Sequence, residues 1–313
     1  YINGTGIVVG TTIAAIVDGN TVQMSQAATS TGLTTLTFSQ GCAGYDPRMF
    51  SQPWAVTSDS NYLYVVDYDT HRVIRRDKTT GNFSGYIGNG NSGWNLSVPA
   101  LACTANKNFD KTIGYFRGPQ DALAFGGKLY VSDQFNHRVI RIDAATGVFE
   151  AWIGDSRTTW TNPATLPSGN PSSDNLSFKN PAGLTTDGTH LYVADRLNNR
   201  IVKYRLDGAN CIPSRPSLGA FCGWIGHGRI GWETNTPAPA GDPYAGFTYY
   251  PADYYAEPHW LAFMKSGPNP GEKKTRNSYL YVSSVWNGRV TRINVDCVDA
   301  PATSACDPVF AFP

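Results

Sequence analysis

Charge is scarce in this sequence. Charged residues make up 16% of the 313 residues, and the formal net charge is +1. So small an excess gives no basic surface with which to hold nucleic acid or an anionic membrane. The chain also lacks an apolar run of about 18 residues, the length that a membrane-spanning helix needs. The sequence therefore predicts neither a nucleic-acid-binding protein nor a membrane span.

The short motifs of common enzymes and metal sites are absent as well. The chain contains no CxxC pair for zinc, no CxxCH for haem, no GxSxG or HExxH motif, and no phosphate-binding glycine loop with its lysine. We therefore predict no cofactor and no bound metal. These absences favour a binding or structural role over catalysis.

Six cysteines are spread along the chain, and an even number fits three disulfides formed in an oxidising compartment. Free buried thiols are the alternative. The sequence starts at Tyr1 and not at methionine, which we interpret as removal of a leader. Together these features predict a secreted, extracellular protein. The cysteines are Cys42, Cys103, Cys211, Cys222, Cys297 and Cys306.

A strand-turn-strand phrase occurs four times. Its first half reads Leu-Tyr-Val, then one small or apolar residue, then Asp. Its second half begins with Arg and ends three residues later with Arg or Lys. Residues of this kind form strands, and the five-residue step from aspartate to arginine predicts a short hairpin. In the last copy Ser284 replaces the aspartate. The copies start at Leu63, Leu129, Leu191 and Leu280.

Two further predicted strands flank each phrase. A strand led by proline precedes it, and proline is tolerated as the first residue of a strand. A Gly-x-Phe strand follows three of the copies. Four antiparallel strands in a repeating unit predict an all-β fold, a β-propeller built from four-stranded blades. The prolines are Pro53, Pro119, Pro181 and Pro258, and the glycines are Gly81, Gly147 and Gly219.

We predict a single propeller domain over residues 1–313 with five blades, and with six blades as the alternative. The first blade lacks the phrase, and its middle hairpin is expected to turn at Asp18-Gly19. Its strands are predicted at Thr5–Val9, Thr12–Val17, Asn20–Ser25 and Leu33–Ser39. The last outer strand is predicted at Val309–Phe312. The blades cover approximately residues 1–41, 48–90, 117–155, 178–227 and 256–313.

These residues resemble the NHL-repeat family. The resemblance rests on Pro-x-x-[AL], on Leu-Tyr-Val-x-Asp, on the Gly-x-Phe strand and on Asn-x-Arg. It covers four blades, about two thirds of the chain, and it implies a propeller. It does not imply one function, because such propellers serve binding, scaffolding and a few enzymes. The Asn-x-Arg copies are Asn136-His137-Arg138, Asn198-Asn199-Arg200 and Asn287-Gly288-Arg289.

The aspartate and arginine of the phrase could act as acid and base, but a residue that recurs in every blade is better explained as structural. We expect each arginine to hold its hairpin or the neighbouring blade through a bidentate carboxylate contact. We also expect Trp152 and Trp224 to fill the wide outer part of their blades. The predicted pairs are Asp67 with Arg72, Asp133 with Arg138, and Asp195 with Arg200.

The cysteine positions suit this plan. Cys211 with Cys222, and Cys297 with Cys306, would each close the connection between a third and a fourth strand. Each such disulfide would stabilise the fold by roughly 2–3 kcal/mol on the loop-entropy model. Cys42 and Cys103 both follow outer strands and are left to pair with each other.

Three long connections, residues 89–116, 155–177 and 227–256, are predicted to emerge on one face over the central channel. Loops of this length are functional or disordered. The third is rich in tyrosine, which suits a contact surface for a protein or a glycan; a lid packed on the propeller is the equal alternative. Its aromatic residues are Tyr244, Phe247, Tyr249, Tyr250, Tyr254 and Tyr255.

Residues just after the leading prolines should point to the mouth of the channel, where they could bind a ligand or an ion; a solvated pore lining is the alternative. They are Trp54, Gln120, Asp121, His259 and Trp260. A metal-dependent lyase or hydrolase at this place is the alternative function. Related propeller enzymes hold zinc with several histidines or calcium with several acidic residues, and this chain offers one of each here.

The sequence as a whole predicts a secreted propeller that binds proteins or glycans, or serves as a structural subunit. Its partners would be other protein subunits or glycans, and it could form a homo-oligomer or a polymer. It would also be a glycoprotein if its Asn-x-Ser/Thr acceptors are used. The acceptors are Asn3, Asn82, Asn95 and Asn175.

Overall fold

The structure is a computed structural model of the chain. It describes residues 2–3, 13–18, 21–24, 37–38, 50–88, 90, 93–96, 114–162, 176–226, 232–234, 257–265, 278–285, 288–295 and 309–312. The chain divides into two compact units. The first comprises residues 1–51 and 97–105, and the second comprises residues 52–96 and 106–313. The described part contains no helix with the length and apolarity needed to cross a membrane.

The first unit contains two short strand pairs. Strand β1 (Ile2–Asn3) pairs antiparallel with β4 (Thr37–Phe38), and β2 (Ile13–Asp18) forms a hairpin with β3 (Thr21–Met24). The hairpin follows the predicted turn, since Asp18 lies opposite Thr21. The predicted first blade stays a prediction, because most of residues 1–41 lie outside the described part of the chain and only these two strand pairs are described there. This segment lacks the strand-turn-strand phrase that builds the other sheets.

The second unit contains four four-stranded antiparallel sheets, and each is a meander in which consecutive strands pair. They form blades of a β-propeller, so the predicted fold class is confirmed. The described residues contain four such blades, and not five. Blade 1 is β5 (Pro53–Ser58), β6 (Tyr62–Asp67), β7 (Arg72–Asp77) and β8 (Phe83–Ile87). Blade 2 is β9 (Pro119–Phe125), β10 (Lys128–Asp133), β11 (Arg138–Asp143) and β12 (Phe149–Gly154).

The remaining two blades follow the same plan. Blade 3 is β13 (Pro181–Thr186), β14 (His190–Asp195), β15 (Arg200–Arg205) and β16 (Phe221–Gly226). Blade 4 is β17 (Pro258–Lys265), β18 (Ser278–Ser284), β19 (Arg289–Asn294) and β20 (Val309–Phe312). Each blade begins at its proline. Short 3₁₀ helices occupy Gln134–Asn136, Arg196–Asn198 and Pro216–Leu218.

The Leu-Tyr-Val strand joins neighbouring blades because its side chains alternate between the two faces of the sheet. Leu129 and Val131 of blade 2 pack in one buried cluster with Tyr64 of blade 1. Tyr130, on the opposite face, packs with Leu191 of blade 3. The same alternation places Tyr192 against Leu280 and Val282 of blade 4. A single three-residue phrase therefore supplies both blade-to-blade contact faces.

The repeated aspartates and arginines form buried ion pairs inside the hairpins. The arginine nitrogens lie 3.1 Å from Asp67, 2.8 Å from Asp133 and 2.7 Å from Asp195. Each carboxylate also accepts a backbone N–H from the segment that enters its own blade, so it fastens the hairpin to the first strand. Those N–H groups belong to Gln52, Arg117 and Lys179. The arginines are Arg72, Arg138 and Arg200.

The predicted disulfide between Cys211 and Cys222 is present, with Cα atoms 5.2 Å apart, and it closes the connection between β15 and β16. Trp152 and Trp224 are buried in the outer strands of their blades. The remaining cysteines, Cys42, Cys103, Cys297 and Cys306, lie outside the described residues.

One repeating feature escaped sequence analysis. In blades 1 to 3 a tryptophan lies six residues after the glycine of the Ile-Gly pair in the outer-strand segment, within the connections that were predicted to be loops. The residue after each tryptophan forms an antiparallel bridge with the outer strand, as Asn95 does with Tyr86. The beginnings of the connections therefore belong to the blades. The tryptophans are Trp94, Trp160 and Trp232.

Candidate functional site

The first strands of the blades converge on the centre of the second unit: β5 lies against β9, β9 against β13, and β13 against β17. The approach of β13 to β17 is especially close at Gly183. A Cβ atom at this position would lie 2.5 Å from the backbone oxygen of His259 and 2.9 Å from the Cα of Trp260. Because backbone atoms cannot move aside cheaply, glycine is required here. This close approach of the two strands sets the positions of His259 and Trp260.

His259 stands at the centre of the candidate site. The Gln120 amide nitrogen lies 2.9 Å from His259 Nε2, and an amide NH₂ can only donate, so Nε2 is the acceptor. The imidazole stacks on Trp260, with ring centroids 5.3 Å apart, and on Trp54 at 6.5 Å. These four residues were predicted at the channel mouth, and the structure brings them together across three blades.

Two aromatic residues missed by sequence analysis extend this stack. Tyr68 lies 5.4 Å from Trp54, and Phe135 lies 6.3 Å from Tyr68, both measured between ring centroids. Both follow the repeated aspartate of their blade, in the loop between the second and third strands. Their backbone N–H groups bond to the segments that enter the same blades. Tyr68 lies one residue after Asp67 and Phe135 two residues after Asp133, so no common offset from the aspartate identified them in the sequence.

We call this row of rings the aromatic row; it consists of Trp260, His259, Trp54, Tyr68 and Phe135. Both of its tryptophans are exposed, at 40% for Trp54 and 38% for Trp260. Gln120, in contrast, is buried. Exposed indoles close to a buried amide are typical of small-ligand binding sites.

A charged pair borders the aromatic row. Arg196 contacts one oxygen of Glu257 with two nitrogens, at 2.9 and 2.6 Å. Burial lowers the pKa of His259 below its usual value, and the charge of Arg196 lowers it further, while Glu257 opposes both. The imidazole is therefore neutral near pH 7, which agrees with Nε2 as a hydrogen-bond acceptor.

Asp121 was predicted at the mouth, but its carboxylate is used inside the fold. One oxygen accepts the N–H of Ala122 and the other accepts the N–H of Leu184, each at 2.8 Å, which ties β9 to β13. Burial raises its pKa to about 7, against the effect of these two hydrogen bonds. With its oxygens on backbone amides, Asp121 is poorly suited to hold an ion, and the alternative of a metal-dependent enzyme stays a prediction.

Neighbouring blades are also joined by side-chain-to-backbone hydrogen bonds, and we call the side chains that accept them staples. The residue before the repeated arginine has a left-handed backbone, with φ of 56° at His71, 54° at His137 and 51° at Asn199. Each accepts a backbone N–H at the entrance of the next blade. Gly118 and Asn180 donate to the Nδ1 atoms of the two histidines, and Glu257 donates to the Asn199 side-chain oxygen.

The His71 staple should weaken in acid. Burial lowers the pKa of His71, as does Arg117, although Asp69 and Asp133 oppose this. The folded state therefore prefers neutral His71, and its contribution is complete above the unfolded pKa of about 6.5 and is lost as pH falls through the lower folded pKa. In His71→Asn, an amide oxygen can replace Nδ1. We expect wild type to lose about 1 kcal/mol more stability than this variant on acidification.

Urea unfolding at several pH values tests this difference, since carboxylates titrate alike in both proteins. Asn199→His is the inverse control, because it should add an acid-sensitive staple. Equal pH dependence in wild type and His71→Asn would contradict the assignment.

Several predicted sites lie outside the described residues. The tyrosine-rich segment, with Tyr244, Phe247, Tyr249, Tyr250, Tyr254 and Tyr255, is among them, as is Asn175. Of Asn3 only the backbone is described. Asn82 is exposed in the turn before β8, and the Asn95 amide nitrogen donates to the Tyr86 hydroxyl. Glycosylation of these asparagines stays a prediction.

No family model and no curated protein matches the sequence. Among solved structures, streptogramin B lyase is 14% identical, with 84% of this chain and 69% of that chain covered and a TM-score of 0.37. Hydrazine synthase of Kuenenia stuttgartiensis is 14% identical over 83% of this chain and 50% of that chain, with a TM-score of 0.42. An auxiliary nutrient binding protein of Bacteroides ovatus is 13% identical over 76% and 46%, with a TM-score of 0.39.

The chain thus spans about half the length of the last two proteins. Likeness at this level assigns no activity, and the resemblance to NHL repeats stays a prediction. What the structure itself establishes is a β-propeller of four-stranded blades with an aromatic row at the centre of its second unit.

Proposed function

We propose that the protein is an extracellular carbohydrate-binding propeller and that its site is the aromatic row. One observation carries this proposal. Trp54 and Trp260 both stack on His259 and both expose their indoles, at 40% and 38%, and neighbouring exposed aromatic rings of this kind mark binding surfaces.

Sugars match such a surface. One face of a pyranose ring carries C–H bonds and packs on an indole, while its hydroxyl groups reach outward to polar partners. Two indoles and an imidazole within one stack offer places for neighbouring units of an oligosaccharide. Aromatic residues also provide this contact area at low entropic cost, because they have only two side-chain torsions to order.

The charges around the row favour a neutral glycan. Arg196 is neutralised by Glu257 at hydrogen-bond distance, and His259 is uncharged near pH 7. No described residue of the row carries a charge of its own. The remaining hydrogen-bonding groups are Arg196, Glu257 and the edge of His259. Small-ligand sites use a few polar groups of this kind to fix the orientation of the ligand.

An extracellular location is supported by two features. The Cys211–Cys222 disulfide is expected in an oxidising compartment. The low content of charged residues, 16%, leaves a surface of uncharged polar groups. Protein partners and a homo-oligomeric or polymeric state stay predictions, and the native mass by light scattering, measured on the same sample, tests them.

A glycan array followed by calorimetry on the best binder tests the proposal. We expect Trp54→Ala and Trp260→Ala each to weaken binding about tenfold or more, since each removes a ring contact worth about 1.5 kcal/mol. Met264→Ala is the matched control, because Met264 is 57% exposed on the same strand as Trp260 and lies outside the aromatic row.

Two results would contradict the proposal. One is the absence of any glycan binder from an array of neutral oligosaccharides. The other is binding that is weakened as much by Met264→Ala as by the tryptophan variants.

A further inference from the structure

A second site lies at the end of blade 3 remote from the aromatic row. Here β14 and β16 begin and β15 ends, as the pairing of His190 with Arg205 and of Tyr204 with Phe221 shows. The site is an open cavity of about 520 Å³. It is lined by His190, Lys203, Cys211, Cys222, Trp232 and Thr234.

Three possible metal ligands meet in this cavity. One ring nitrogen of His190 and the sulfur atoms of Cys211 and Cys222 all lie within 4.8 Å of one another. Zinc bonds to nitrogen and sulfur are about 2.0–2.3 Å long, so the ligands of a tetrahedral site stand nearly 4 Å apart. Once the bond between the sulfurs is broken, shifts of about an ångström would place all three around one ion.

His190 is already held as a metal-binding histidine would be. Its Nδ1 lies 2.8 Å from Asp187 Oδ2, which also accepts the Tyr192 hydroxyl at 2.8 Å. The other Asp187 oxygen accepts the N–H groups of Thr189 and His190. A carboxylate on one ring nitrogen orients the ring and leaves Nε2 for an ion, as in many metal sites.

The cavity also favours negative charge on sulfur. The Lys203 ammonium lies 5.0 Å from the centre of the Trp232 ring. The Trp232 indole N–H is buried and has no hydrogen-bond acceptor among the described residues. In contrast, the corresponding Trp94 and Trp160 donate to backbone oxygens, at 3.0 and 3.1 Å. A cation and an unused donor beside two cysteines lower the cost of forming thiolates.

We propose that reduction of the Cys211–Cys222 disulfide converts this cavity into a site for a thiophilic divalent cation such as Zn²⁺, bound by His190, Cys211 and Cys222. Two molecules of a small thiol supply two electrons and two protons, giving a small-molecule disulfide and two cysteine thiols. Each thiol then releases one proton as its thiolate binds the ion, and water completes the fourth position. The oxidised form has no thiolate to offer and does not bind.

The experiment uses the full chain, reduced with a water-soluble phosphine and desalted without oxygen. The phosphine takes an oxygen atom from water and leaves the two thiols. Co²⁺ is the probe, because thiolate ligation produces charge-transfer absorption and a tetrahedral site produces visible bands; added Zn²⁺ should then abolish both. The Cys211→Ser/Cys222→Ser variant is the matched control for ions held by the other cysteines.

We expect the reduced wild type to bind one equivalent more Co²⁺ than this control, and the oxidised wild type to bind none at this site. His190→Ala should weaken the affinity at least tenfold. Asp187→Asn should weaken it about 10- to 100-fold, as loss of the partner of a ligand histidine does. Circular dichroism of each variant shows whether it is folded.

A second measurement avoids the variants. In reduced wild type, Zn²⁺ should slow alkylation of Cys211 and Cys222, which peptide mass spectrometry resolves from the other four cysteines. Equal Co²⁺ binding by wild type and control, or alkylation of this pair that Zn²⁺ does not slow, would overturn the proposal. Neither measurement depends on carbohydrate binding.

Discussion

Replacing Asp195 by Ala should lower the free energy of unfolding by about 3–5 kcal/mol. Asp195 and Arg200 are both fully buried, and the shortest contact between them is 2.7 Å. The variant leaves the arginine charge in an apolar interior, and it also removes the acceptor for the Lys179 N–H and the Asn198 side chain. Chemical denaturation with urea or guanidinium measures the loss.

Two controls separate the buried charge from a general effect of substitution. Asp207→Ala removes an exposed partner of Arg205 and should cost less than about 1 kcal/mol. Asp195→Leu combined with Arg200→Met removes both charges, and it should be less destabilising than Asp195→Ala. If Asp195→Ala and Asp207→Ala cost the same, the hairpin pairs do not hold the blades in the way described.

Replacing Gly183 by Ala should destabilise the protein by about 1–3 kcal/mol and should also impair the aromatic row. The added methyl group meets backbone atoms, the oxygen of His259 at 2.5 Å and the Cα of Trp260 at 2.9 Å. Relief requires β13 and β17 to move apart, which shifts His259 from Gln120 and Trp260 from its stack. Unfolding experiments measure the first effect, and glycan calorimetry measures the second.

Gly126→Ala is a useful comparison for this variant. Its added methyl group meets no atom of the described part of the chain within 4 Å, so its cost reflects the left-handed backbone, with φ of 59°. It should leave glycan binding unchanged. Retention of full binding in Gly183→Ala would show that the close approach of the two strands does not position the row.

The blades could be predicted from the sequence because their determinants are local. Leu-Tyr-Val has the alternation that a sheet buried on both faces needs, and the short step from Asp195 to Arg200 allows one hairpin to close on itself. The Cys211–Cys222 disulfide followed from the same local plan, because both residues flank one strand connection.

The partners of the strands that precede blade 1 could not be predicted from the sequence. Alternating residues around Asp18-Gly19 do form a hairpin, but strands that carry no phrase have no local signal for their partners. Strand pairing over long separations depends on which faces are buried, and a strand of only two residues such as Ile2–Asn3 leaves several choices open. The pairing with Thr37–Phe38 is one of these.

The candidate site, too, could be predicted only in part from the sequence. Position after a proline identified Trp54, Gln120, His259 and Trp260. The Asp121 carboxylate, one residue beyond Gln120, accepts a backbone N–H of β13 instead. Tyr68 and Phe135 had no motif of their own. Whether neighbouring positions face a ligand or a strand depends on distances between blades, which a repeat in the sequence does not contain.

The sequence by itself determined the strands, the hairpins and their buried pairs, because each arises from residues within one blade and from side-chain alternation. The tertiary structure alone decided the stack of Trp54, His259 and Trp260, the staples from one blade to the next, and the meeting of His190 with a disulfide. These contacts join residues far apart in the chain, and their energies depend on burial and approach distances that exist only after the blades have packed.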